Sequence, residues 1–179
     1  MSVQIVFRRL TATDLVDGFD AGTSPDEMHL TKYFRDYSKV NQANRRSVTW
    51  LAVARSGDEE NIAGFVTTCP GAVEAQQIRK LDRGLPGYPA AVLLLARIAT
   101  AASYRRQGVA TALVDLVMHH AENLANEHGC VGVLTHAKPS AVGFYERTGF
   151  ARLVDNTPEG HTVEMARLLP RKQTVTAAS

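Results

Sequence analysis

The chain has 179 residues, 45% hydrophobic and 21% charged, with a formal net charge of +2. That is the size and composition of one water-soluble domain with its own core, and the charge is too small to mark a nucleic-acid or membrane partner by itself. No apolar run approaches the roughly 18 residues that a membrane span needs, and MSVQIVFRRL is too short in apolar residues for a secretory signal.

In chain order, VQIVFRRL reads as a first strand and TATDLVDGF as a short helix capped by its threonine. A second helix covers SPDEMHLTKYFRDYSKVNQANRR, with Ser24 as N-cap, Pro25 at the first helical position, and Asp26 and Glu27 in the turn where the helix dipole favours acids. SVTWLAVAR and IAGFVTTC read as a hairpin around SGDEEN. A polar loop, GAVEAQQIRKLDRGLPGYP, precedes AAVLLLARIAT, a strand apolar enough to be buried on both faces. A helix from Arg105 to about His128 follows from the period of Val109, Leu113, Leu116, Val117, His120 and Leu124. CVGVLTH is another buried strand, Pro139 opens a helix over SAVGFYERT that Gly149 ends, and FARLV and HTVEMARLL are last strands around the turn NTPEG. The order predicts an α+β (mixed α/β) domain over 1–170, a central mixed sheet flanked by helices, with 171–179 as a fraying tail.

The stretch YRRQGVATAL, residues 104–113, stands at a strand–glycine–helix junction. Unpaired N–H groups and the dipole at a helix start attract anions, Gly108 admits close approach, and Arg105 and Arg106 can add charge-assisted hydrogen bonds. The stretch lacks both GxxxxGK[ST] and GxGxxG, which argues against a P-loop and a dinucleotide site.

R-x-x-G-x-A after a buried strand, followed by A-x-x-F-Y-x-x-x-G-F in AVGFYERTGF, resembles the GNAT family of acyl-CoA-dependent N-acetyltransferases from Val3 to about Leu169. The resemblance implies acetyl-CoA as cosubstrate. Its pyrophosphate would be held by Arg105, Arg106, Gln107, Gly108, Val109, Ala110 and Thr111, and its pantetheine arm by the strand at Arg97, Ile98, Ala99 and Thr100. It also implies that Tyr145 gives the leaving thiolate its proton, with backbone N–H groups near Ile98 polarising the carbonyl.

The base is open among Glu74, His136 and water, because neither AAVLLLARIAT nor CVGVLTH contains a carboxylate. A site without a strong base suits an α-amine, pKa about 7.7, better than a lysine at about 10.4. FDAGTSPDEMHLTKYF, GAVE and LPGYPAAVLLLARIAT are similar to segments of the GNAT toxins of bacterial toxin–antitoxin pairs. That resemblance implies acetylation of aminoacyl-tRNA, a ribbon–helix–helix antitoxin and a homodimer. The cytoplasmic location is expected from Cys69 and Cys130, far apart and without metal-type spacing, as free thiols of a reducing cytosol. The alternatives are transfer to a small amine, peptide or protein lysine, and a non-catalytic acyl-CoA-binding module.

Lys32, Arg35, Lys39 and Arg46 fall on one side of the second helix, opposite Leu30, Tyr33, Phe34, Tyr37 and Val40; with Arg79, Lys80 and Arg83 they form either a surface that steers RNA phosphates or an ordinary solvated face. No metal site is expected: His119-His120 lacks a carboxylate partner. Trp50, Phe144 and Phe150 read as core. Cys69 and Cys130 read as free thiols of a reducing compartment, Cys130 buried and inert, Cys69 a remote nucleophile candidate.

Overall fold

A computed structural model describes residues 4–85, 87–155 and 157–171. The elements are β1 (Gln4–Arg9), α1 (Pro25–Asp36), α2 (Ser38–Ala43), β2 (Val48–Ser56), β3 (Glu59–Val73), α3 (Ala75–Ile78), β4 (Ala90–Thr100), α4 (Val109–Glu127), β5 (Gly132–Ala137), α5 (Val142–Arg147), β6 (Ala151–Arg152) and β7 (Val163–Leu168). Among the described residues the strands form one sheet in the order β1-β2-β3-β4-β5-β7-β6. Every neighbouring pair is antiparallel except β4 and β5, which the long crossover through α4 makes parallel. This is the expected mixed sheet with flanking helices.

One sheet face carries Ala52, Val66, Leu95, Val133 and Met165 against Leu113, Val114, Val117 and Ala121 of α4. The other face divides: Leu51, Val53, Phe65 and Ala99 meet Tyr33 and Phe34 of α1, and Val73, Val92, Leu134 and Ala166 meet Ile78 of α3. Phe34 is the centre of the first group, its ring 4.5 Å from Phe65 and 4.8 Å from Phe19. Burying a phenylalanine of this kind contributes about 1.5–3 kcal/mol.

Four expectations change. TATDLVDGF is not a helix but a run of turns. Asp14 accepts from both terminal nitrogens of Arg8, at 2.9 and 2.7 Å, and from the Thr11 N–H at 2.7 Å. The carbonyls of Ala12 and Asp14 accept from the Lys39 ammonium at 2.9 and 2.5 Å, in place of the amides that a helix would supply. The second helix starts as expected, on a Ser24–Glu27 capping box, but Tyr37 leaves helical geometry at φ −121° and divides it into α1 and α2. GAV extends β3, and AQQI forms the short α3 instead of loop. Helix α4 begins at Val109, four residues after Arg105. The turn NTPEG and the loop LPGYP each include one residue outside the described set (156 and 86), and 172–179 lie outside it as well.

Candidate active site

β4 and β5 pair only over Leu93–Leu95 with Val133–Thr135. Beyond Leu95 the strands part, while β3 stays paired to β4 as far as Thr100. The register shifts between Thr67 and Thr68, leaving Ala96 unmatched as a bulge. The Ala101 N–H donates to Ala63 O at 2.8 Å, so strand alternation turns the backbone groups of Ile98 and Thr100 away from β3, toward the open edge. The bulge also inverts the side chains: Leu95 packs on the α4 face, whereas Arg97 lies over the Tyr33 ring on the α1 face. The result is a cleft of about 750 Å³ whose walls include Tyr33, Arg97, Ile98, His136, Lys138 and Tyr145.

The junction before α4 is a loop with two left-handed residues, Arg106 at φ 60° and Gly108 at φ 79°. A Cβ on Gly108 would meet nothing within 4 Å, so glycine is needed for its backbone angle, and the space over the helix start is open. No side chain caps α4 and no acid occupies its first turn, so the N–H groups of Val109, Ala110 and Thr111 lack a side-chain cap. Gly64 has the opposite reason: a Cβ there would stand 2.8 Å from Ala99 O and 2.9 Å from Val109 Cγ1, so its bareness lets the start of α4 lie close against the sheet.

Arg105 departs from expectation. Its guanidinium is bonded to Glu27 Oε1 and to the Ala21 carbonyl, which directs it to the start of α1 instead of the space over α4. Glu27 also closes the capping box by accepting from the Ser24 N–H at 2.9 Å, and these contacts hold its carboxyl below the ordinary carboxylate range. Arg106 is exposed, and Gln107 donates to Ser103 O at 3.2 Å. The Thr100 hydroxyl, on the open edge of β4, is buried without a hydrogen-bond partner among the described residues.

Tyr145 comes from α5, which Pro139 and the 3-10 turn before it aim at the cleft. Its ring is 5% exposed and stands edge-on to Phe144 and Phe150, each 5.2 Å away. Burial pushes its phenol above 10, and a hydrogen bond with Thr135 pulls the other way. Thr135 is itself buried and donates to Leu95 O at 3.1 Å, at the last paired residues before the strands part. A phenol in this state keeps its proton at neutral pH and can act as an acid, not a base.

Of the two base candidates, Glu74 is exposed at the start of α3, outside the cleft wall. His136 is in the wall, its Nδ1 3.7 Å from Glu164 Oε1, and Gln77 donates to Glu164 Oε2 at 2.7 Å. Glu164 lies opposite His136 in the β5–β7 register, a pairing that sequence separation hides.

The basic side of α1 and α2 is largely engaged inside the protein. Lys32 pairs with Asp36 at 2.6 Å, Arg35 donates twice to Phe19 O at 3.0 and 2.6 Å, and Lys39 holds the turn at Ala12 and Asp14. On the opposite side, Tyr37 and Val40 are exposed while Tyr33 and Phe34 are buried. Burial raises the Cys69 thiol, against a pull from Arg97, and burial raises that of Cys130, which removes the thiolate character a nucleophile needs. The His120 ring packs tilted against Trp50, 4.2 Å between centroids, and burial lowers its pKa. Among the described residues no cluster of three or more His, Cys, Asp or Glu converges as a metal site, and no helix is long and apolar enough to cross a membrane.

The domain family described as Acetyltransferase (GNAT) domain matches residues 45–152. The chain belongs to the GNAT acetyltransferases. No curated protein sequence is significantly similar to it. Among solved structures it is similar to one described as a bacterial toxin, at 22% identity, covering 93% of this chain and 90% of that one with TM-score 0.78. It is also similar to AtaT complexed with acetyl-methionyl-tRNAfMet, at 20% identity, 90% and 94% coverage and TM-score 0.76. A third is a tyrosine-to-phenylalanine variant of the toxin AtaT bound to the C-terminus of the antitoxin AtaR and acetyl-CoA, at 19% identity, 90% and 92% coverage and TM-score 0.71. At these identities the likeness is one of fold.

The donor of this GNAT acetyltransferase is acetyl-CoA, and the residues present fit it. A pyrophosphate matches the uncapped start of α4 over Gly108, and an amide-bearing arm matches the free edge of β4 with its partnerless Thr100 hydroxyl.

Proposed function

We propose that the chain is a toxin-type N-acetyltransferase that moves the acetyl group of acetyl-CoA onto the α-amine of an aminoacyl-tRNA. The carrying observation is the parting of β4 and β5, which leaves the backbone of Ile98 and the buried phenol of Tyr145 as walls of one cleft. When bound, acetyl-CoA supplies an acetyl group activated as a thioester.

The backbone N–H groups of Val109, Ala110 and Thr111, with Gly108 beside them, hold its pyrophosphate; Arg106 and Gln107 flank it; the edge at Ile98, Ala99 and Thr100 orients the arm. Arg105 acts from the side, fixing the loop to α1 through Glu27. The outward N–H near Ile98 polarises the carbonyl, and Tyr145 keeps a proton on its phenol oxygen for the departing thiolate.

An α-amine suits the acidic groups nearest the cleft. Asp26 is held 3.5 Å from Lys138, and Glu164 is bonded to Gln77, so neither is a free strong base; water or His136 completes deprotonation. The coverage of toxin structures at both chain lengths, one of them with acetyl-methionyl-tRNA, supports this acceptor. A cytoplasmic location, a ribbon–helix–helix antitoxin and a homodimer belong to the same reading, as does one domain over 1–170. Arg171, the first residue past that boundary, is tied to Asp82 by a bond from Nε at 2.8 Å.

The test is transfer of labelled acetyl from acetyl-CoA to charged tRNAs, beside discharged tRNA and a lysine-rich peptide. Label on charged tRNA alone is expected. Label on the peptide, or on neither while coenzyme A binds, overturns the acceptor.

A further inference from the structure

Arg97 sits in the cleft with a cation that the protein does not use. Its guanidinium carbon lies over the Tyr33 ring, 3.9 Å from the centroid. Among the described residues no hydrogen bond or ion pair engages it, whereas Lys32, Lys138, Arg35 and Lys39 around the same helices each have a partner. The contact with the ring uses no N–H donor, so the guanidinium donors are left without a partner among the described residues.

The platform is rigid. Tyr33 is 7% exposed, and the rings of Phe65 and Tyr37 each stand 6.4 Å from its own. The Tyr33 hydroxyl is itself buried with no hydrogen-bond partner among the described residues, a second and independent unmet polar group in the same wall. The Ala96 bulge turns Arg97 to the α1 face, opposite the face on which Tyr145 and α4 pack. A cation held in this way, with no ion pair among the described residues, is built for an anion on the acceptor, not for the donor's pyrophosphate at α4.

We propose that Arg97, stacked on Tyr33, binds the phosphodiester that precedes the terminal adenosine of the acceptor, and so selects amines carried on a nucleotide over free amines. This rests on the aminoacyl-tRNA reading above. An amino acid esterified to tRNA has no free carboxylate, so the anion nearest its amine is that phosphodiester, one ribose away from the ester. Arg97 is adjacent in sequence to Ile98, the residue whose backbone faces the reacting carbonyl in that reading.

The experiment compares an acceptor that has no phosphodiester before its adenosine with one that carries it inside CCA. One is the 3′ aminoacyl ester of adenosine; the other is the same ester on the trinucleotide CCA, with the amino acid that the charged-tRNA assay selects. The full chain is expected to prefer the CCA ester in kcat/KM by about 10- to 100-fold, through KM, with a preference that falls as salt rises. Arg97→Met should bring the ratio of the two acceptors close to one, and Arg97→Lys, which keeps the charge and loses the fork, should fall between. A ratio near one in the unaltered chain, a ratio indifferent to salt, or Arg97→Met with the unaltered ratio overturns the inference alone. If Arg97→Met does not fold, the unaltered chain's ratio and its salt dependence decide. Acetylation of neither ester, where charged tRNA is acetylated, overturns the inference alone; no label on any charged tRNA, with coenzyme A still bound, overturns the tRNA reading and this inference with it.

Discussion

Tyr145→Phe removes a single oxygen from a ring whose position is set by apolar contacts. Phe144 and Phe150 touch the ring edge-on, and the substitution leaves both contacts in place. Thr135 keeps its bond to Leu95 O, so no buried donor is stranded. The structural cost is one lost hydrogen bond, about 0.5–1.5 kcal/mol, which the fold absorbs. The catalytic cost is larger. A positioned general acid contributes about 10²- to 10⁴-fold, or about 3–5 kcal/mol of barrier. Turnover measured by release of the coenzyme A thiol should fall by that factor, while calorimetric affinity for acetyl-CoA stays within about twofold, because the uncapped α4 start and the β4 edge are untouched. Since burial raises the phenol above 10, loss of the acid form should not limit kcat between about pH 7 and 9. A variant within about twofold of the unaltered kcat would refute Tyr145 as the acid.

Further outcomes follow from other contacts. Gly108→Val forces a β-branched residue to φ 79° in open space, so it should cost about 1–3 kcal/mol of loop strain and weaken coenzyme A binding; unchanged affinity by calorimetry would count against the α4 site. Gly64→Ala should act by clash with Ala99 O, lowering the melting temperature, and a neutral result would contradict the close approach of α4 to the sheet. Arg35→Met and Lys39→Met should destabilise the chain by about 1–3 kcal/mol in urea, since each strands carbonyls of the 12–19 segment; weakened tRNA turnover with unchanged stability would restore the steering role. Arg8 holds Asp14 down from 3.8 to about 2, so its contribution is complete above pH 3.8 and is lost as pH falls toward 2. Asp14→Asn should remove that acid-side loss and lower neutral-pH stability by about 1–2 kcal/mol, checked by urea melts across the pH range.

The local signals in the sequence carried a long way. Period and apolarity marked β4 and α4, Ser24 with Glu27 marked the start of α1, and the order of elements gave the sheet class, because each depends only on neighbours along the chain. Two motifs, R-x-x-G-x-A and F-Y-x-x-x-G-F, pointed to the family and to Tyr145. The failures were local as well. TATDLVDGF has helical composition, but Arg8 and Lys39 take the groups that its helix would need, and Lys39 is far along the chain. Arg105 looked like a phosphate ligand until α1 brought Glu27 against it.

What the sequence by itself determined is which segments become strands and helices, and which family's chemistry they suit. The tertiary structure alone decided which charges are left over. Arg97 and Arg35 are both arginines near aromatic residues, yet one lies over the Tyr33 ring with no hydrogen-bond or ion-pair partner among the described residues and the other reaches the Phe19 carbonyl. That difference depends on the register shift at Ala96 and on the docking of α1 across β3 and β4. Long-range packing brings charges together or keeps them apart, and no spacing along the chain encodes it.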